Sequence, residues 1–386
     1  MPARNSPAAR LAALLLSGAL LAAPAVAQDW RVELVADGAL FPVLDLSQPR
    51  AAAPFGDGAG LLQVEVRAAR DGERVRLRVQ APHLARSATL DAVLPRAGAR
   101  YRLRPALDWD RARVAALDVS VDEVLQLRLD SAAGTAERSV TARLHPLDEA
   151  PYFVRDGAEH VDLSWIFAAY ADPQDAAVDA LLARVRDAHP RLALDGYASG
   201  EAEAVLAQAY ALWEALSTHG VRYAEEDPGR ARGPRLWSQH VRRAGEVWSE
   251  RRANCLDGSL LLAAAAERIG LRAVLLLVPR HALLALYTRA DAGAPVFIET
   301  TALGARHGTT PAPPPFRARL EGDSDPAALA SFQAALAAGS ARYHAAARRF
   351  GRHDPDYQWI DLATARSYGI LPLSAASARA AASPRP

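Results

Sequence analysis

The single cysteine of this 386-residue chain stands where a thiol can be made reactive. Cys255 follows Asn254 and precedes Leu256-Asp257-Gly258, at the head of an apolar run that reaches Ile269. A thiol at a helix N-terminus is favoured as thiolate by the dipole and by unpaired backbone N–H groups. Downstream come a strand-like Ala273–Val278, then His281, and then Phe297-Ile298-Glu299-Thr300-Thr301. A histidine can pair with a thiolate and a carboxylate can orient the imidazole. These are the residue types of a cysteine-based acyl-transfer site.

A helix followed by three strands has to bring them together. Two antiparallel strands joined by a turn around Asp291-Ala292-Gly293 carry His281 and Glu299 to one end of a sheet. A helix packed across that sheet then sets Cys255 beside His281. Glu299 lies in otherwise apolar sequence, where a carboxylate without a partner is costly, and His281 is the natural partner. Asp257, one turn into the helix, reads as a cap or as an anchor for a neighbouring loop.

The remaining segments are scaffold. From 28 to about 148 the chain alternates apolar and polar residues, as in Val75-Arg76-Leu77-Arg78-Val79 and Val124-Leu125-Gln126-Leu127-Arg128-Leu129. Turn residues lie between these runs, at Asp71-Gly72, Ala97-Gly98 and Ala133-Gly134. This pattern predicts a half-buried antiparallel β-sandwich without a catalytic cluster. Residues 149–220 read as a helical connector. One helix follows Asp172-Pro173, with Ala177, Leu181, Leu182 and Val185 at helical spacing, and a second runs from about Glu201 to Ser217. A core follows over 221–374, and it includes a stiff Pro311-Ala312-Pro313-Pro314-Pro315 loop and a helical pattern over Ala327–Phe350. The fold class expected is α+β, with an Ala/Ser/Pro tail from 375 that reads as disordered.

The N-terminus has the form of a signal peptide over 1–27. Arg4 and Arg10 precede an apolar Leu11–Ala23, and Ala25-Val26-Ala27 makes a cleavage site. No cysteine follows that site, so a lipoprotein anchor is not expected. The expectation is a soluble, exported, periplasmic protein without a transmembrane segment in the mature chain. A net charge of +1 gives no reason to expect a nucleic-acid partner. One cysteine precludes an internal disulfide framework in an oxidising compartment. All the basic residues are arginine, so the chain has no lysine amine with which to crosslink itself. HExxH, CxxC and paired-histidine spacings are all missing, so neither metal nor cofactor is expected.

Asn254-Cys255-Leu256-Asp257, Pro279-Arg280-His281-Ala282 and Ile298-Glu299-Thr300-Thr301 together resemble the core of bacterial transglutaminase-like proteins. The resemblance covers about 150–375 and implies a papain-like core, with a helix packed on an antiparallel sheet. It makes Cys255 the nucleophile, His281 the general base and acid, and Glu299 the orienting carboxylate. By the same analogy Gln239 is a candidate oxyanion donor, and Trp237 a candidate groove residue. Arg280 stands where the family usually has glycine, and Glu299 where it more often has aspartate. The implied activity is thiol attack on amide or ester carbonyls of peptide, protein or cell-wall substrates, as a peptidase, amidase or acyl transferase. The alternative is an inactive binding module that holds an envelope polypeptide. A cell-wall endopeptidase using Cys and His fits less well, because only 26 residues separate Cys255 from His281 and the third group is an acid.

Overall fold

A computed structural model describes residues 29–374, apart from 35, 49–51, 58–59, 157–158, 226–234, 291–293, 306–313, 321–323, 352–353 and 355. The signal segment, the tail from 375, the turn at 291–293 and part of the proline-rich loop lie outside the described residues. The architecture is mixed α+β with antiparallel sheets. Among the described residues, no helix is long and apolar enough to cross a membrane.

The N-terminal strands follow the alternation in their sequence. Along Glu73–Gln80 buried and exposed residues strictly alternate, and Val121–Ser131 buries Leu125, Leu127 and Leu129. Period-two patterns of this kind put one face on a core and the other in solvent. Two sheets result. One is three-stranded, with Leu62–Arg67 between Trp30–Leu34 and Arg100–Leu103. The other is five-stranded and antiparallel, except where Ala39–Leu40 runs parallel to the end of Gly134–Leu144.

The expected helical connector begins differently. Glu149–Asp156 and Glu159–Asp162 are strands, and a 3-10 turn over Ser164–Ala169 follows. Glu149–Asp156 pairs antiparallel with Leu236–His240, a distant segment that no local pattern ties to it. Helices occupy Ala176–Ala188 and Ala202–His219, close to the expected positions. A single buried apolar cluster runs from Trp30 to Ile370, so the core is continuous across the segment joining the two halves.

The sheet that carries the site has four strands, ordered Pro295–Ile298, His281–Tyr287, Ala273–Val278 and Gln358–Asp361. The helix Cys255–Arg268 packs on one face, where Leu260, Ala263 and Ala264 join Leu275 and Leu284 in the core. The other face buries Val274, Leu276, Leu283, Ala285 and Phe297 beneath Tyr343 and Phe350. Those two aromatic residues belong to and follow the helix Pro326–Ala346.

Candidate active site

Asn254 starts the Cys255 helix. Its side-chain oxygen accepts from the Leu256 and Asp257 N–H groups at 2.8 and 2.9 Å, and Asp257 accepts in return from the Asn254 N–H at 3.2 Å. This reciprocal cap satisfies first-turn donors and fixes where the helix begins. It leaves the Cys255 N–H as a first-turn donor outside the cap. Asp257 also accepts from the Arg242 backbone at 3.0 Å, so the capping and anchoring roles expected for it both hold. Burial pushes its carboxyl up to about 6, against the pull of the Asn254 and Arg242 N–H groups.

His281 opens its strand directly after a two-residue turn, since Val278 pairs with His281 across Pro279-Arg280. Proline supplies a φ near −65° at the first turn position. Arg280 takes φ +57° at the second, the left-handed conformation a type II turn requires there. That is why glycine suits this place, and why arginine is strained in it. Arg280→Gly should raise unfolding stability by about 0.5–1 kcal/mol in urea titrations and leave the thiol chemistry unchanged. An unaltered or lowered midpoint would show that Arg280 makes compensating contacts.

The His281 ring joins the other two groups. Its Nε2 lies 2.9 and 2.7 Å from the Glu299 carboxylate oxygens. Cys255 is the other group that acts on the His281 ring and raises its proton affinity. Burial alone would lower the imidazole's proton affinity, but the bonds and charges of Cys255 and Glu299 outweigh it and push the ring to about 9. Glu299 is almost wholly buried. Burial favours its protonated form, yet His281 and the Thr301 hydroxyl and N–H hold the carboxyl below its ordinary range. Cys255 is half-buried.

Thr300 locks the acid to the nucleophile. Its hydroxyl donates to the Cys255 carbonyl at 2.9 Å, and Ser259 donates to the same oxygen at 2.7 Å. A Cβ on Gly258 would sit 3.3 Å from the Thr300 Cβ, so the helix and the Glu299 turn are in close contact.

Two residues of the site went unflagged in the sequence. Arg342, on the helix Pro326–Ala346, places Nε 3.0 Å from Glu299 Oε2. Nothing sets it apart from the other arginines until the helix is laid on the sheet. Tyr223 lies in a two-residue strand parallel to Arg252–Ala253, and its N–H donates to Leu303. The chain is thus pinned between the approach to Cys255 and the turn after Glu299. Burial, then the charges of Cys255, Glu225 and Glu299, push the Tyr223 hydroxyl up, so it stays protonated as a donor beside the site.

The expected accessory residues do not join them. Gln239, in the strand paired with Glu149–Asp156, donates to the His240 carbonyl at 3.1 Å and not to Cys255 or His281. Trp237 packs edge-on against Phe153 at 5.2 Å, with the Arg155 guanidinium over its ring, which makes it a packing residue. Among the described residues, no group of three or more His, Cys, Asp or Glu could hold a metal ion. No protein-family model and no curated protein matches the chain.

Proposed function

We propose that this chain is an exported, periplasmic transglutaminase-like enzyme with a papain-like core. In this reading Cys255 attacks amide or ester carbonyls of peptide, protein or cell-wall substrates. The observation that carries the reading is a single imidazole bonded through Nε2 to a buried carboxylate and coupled electrostatically to the half-buried Cys255 at a helix start. The reaction needs nothing else. The Cys255 sulfur forms a bond to the carbonyl carbon while the C=O pair moves onto oxygen, which the Cys255 N–H at the helix start is suited to receive. Collapse breaks the carbon–nitrogen or carbon–oxygen bond, and the leaving group takes the proton from His281. Water then gives a proton to His281 as its oxygen bonds to the acyl carbon, and the thiolate departs. An amine in place of water makes the protein an acyl transferase. Export to a compartment of peptides and wall amides favours water. The N-terminal charge and apolar pattern supports that location.

Alkylation of Cys255 by iodoacetamide between pH 5 and 9 tests the proposal. An isolated thiol loses about tenfold in rate per pH unit below roughly 8.5. His281→Ala should slow alkylation of Cys255 at pH 6 by about tenfold, because the proposed proton partner of the thiol is lost. A rate that falls like that of a free thiol, and is unchanged by His281→Ala, would overturn the enzyme reading. It would leave a binding module for an envelope polypeptide.

A further inference from the structure

The strand Gln358–Asp361 is the outer strand of the site sheet, bonded on one side to Ala273–Val278. Around its other side, a cleft of about 700 Å³ opens between that strand, the 3-10 turn Ser164–Ala169 and the helix Leu362–Ser367. That volume lies in the range of small-molecule sites. The cleft stands apart from the thiol. Tyr287, on its wall, ends the strand that His281 begins, and six residues of strand span about 20 Å.

Its lining is of an unusual kind. Trp165, Trp359 and Tyr287 are half-buried in the walls, Trp359 also meeting Phe297, Tyr343 and Phe350 edge-on, and Tyr368 at the rim is 77% exposed. Rings left in reach of solvent at one concave place offer flat apolar faces. Arg272 and Asp361 at the cleft are matched with each other, and Asp162 accepts from the Ser164 N–H. Arg272 lies 4.6 Å over the Tyr287 ring and pairs with Asp361 at 2.8 Å. A cationic ligand would find the Tyr287 face taken by a like charge. An anionic one would have to draw Arg272 from a carboxylate that is itself almost buried. What remains for a ligand is aromatic faces with amides, a hydroxyl and a carboxylate between them, from Gln48, Gln358, Thr364 and Asp162. Planar amides and carboxylates pair with hydroxyl groups.

We infer that this cleft binds a neutral oligosaccharide. A pyranose ring has an apolar C–H face that lies flat on an aromatic ring, and an edge of hydroxyls that donate and accept. The inference does not depend on the thiol chemistry.

Titration of the full chain with chitohexaose, cellohexaose and maltohexaose, followed by tryptophan emission and by calorimetry, tests it. At least one of the three should bind and shift the emission. Trp359→Ala should weaken that binding by about tenfold, and Tyr368→Ala, whose ring is exposed and bears little on folding, by about threefold. Cys255→Ser should leave it unchanged, which separates this site from the proposed catalytic one. Binding of none of the three at millimolar concentration would overturn the inference. So would binding that both aromatic substitutions leave intact, or a preference for choline or a sugar phosphate over every neutral sugar.

Discussion

Glu299→Gln should cost about 1–2 kcal/mol of unfolding stability near pH 6, and the loss should shrink as the pH rises past about 9. The magnitude follows from the imidazole. Its proton affinity rises from 6.5 to about 9 in the folded chain, a rise that Cys255 and Glu299 share, and each unit is worth about 1.4 kcal/mol, so Glu299 accounts for only part of the total. His281 has only 12% of its side chain exposed, so solvent screening takes little from this. A group whose folded value is raised stabilises fully below its unfolded value, 6.5, and loses that contribution as the pH climbs through the folded one. Glu299 has the opposite sense, because its folded value is lowered. Its contribution is present above the ordinary carboxyl range and lost as acid protonates it. The pair therefore stabilises most between about pH 5 and 6.5. Glutamine keeps the shape and can still meet His281 Nε2, but it removes the charge that holds the imidazolium, and it leaves Arg342 Nε without its anion. Urea denaturation of both proteins from pH 5 to 10 reads the difference directly. A difference that stays flat across this range would mean that the ring is neutral in the folded protein. Alkylation of Cys255 near neutral pH should fall with the same substitution, because the proton partner of the thiolate is lost.

The chemistry of the site was legible because each of its parts carries a local mark. Cys255 is the only thiol, Asn254 and Asp257 have the form of a cap, and Glu299 is a carboxylate in apolar sequence. Their meeting was legible in outline only, since the hairpin from His281 to Ile298 has its turn in one stretch of sequence while its register, with Leu284 opposite Ile298, is set by packing on both faces. What was not legible was non-local. Gln358–Asp361 completes the sheet from about 80 residues downstream of Val278, and its four residues have no periodicity to read. The pairing of Glu149–Asp156 with Leu236–His240 likewise rests on burial that forms only in the folded chain. Arg342 and Tyr223 reach the site through tertiary contact alone.

Gly339→Ala sets two effects of opposite sign against each other, and the unfavourable one should win. In the interior of the helix Pro326–Ala346, alanine is favoured over glycine by about 1 kcal/mol. A Cβ at this position, however, would stand 2.4 Å from the Phe297 carbonyl oxygen, 2.6 Å from its carbon and 3.0 Å from the Ile298 nitrogen. All three are backbone atoms, which no side-chain rotation can move aside. Helix and strand would have to part by about 1 Å, at an overpacking cost of about 3 kcal/mol, so a net loss of about 2 kcal/mol is expected. The strand that must move leads directly into Glu299, whose N–H donates to the Ala335 carbonyl of the same helix at 3.1 Å. Phe297 stacks on Tyr343 of that helix, with ring centroids 3.9 Å apart. Parting the two elements thus shifts the carboxylate away from His281, and a displacement of this size can cost a catalytic arrangement up to about a hundredfold. The Ala variant should therefore lose urea midpoint and Cys255 reactivity together, while Arg280→Gly changes only the first. A Gly339→Ala protein as stable and as reactive as the parent would show that the helix does not press on the strand, and that Glu299 is held by its own turn alone.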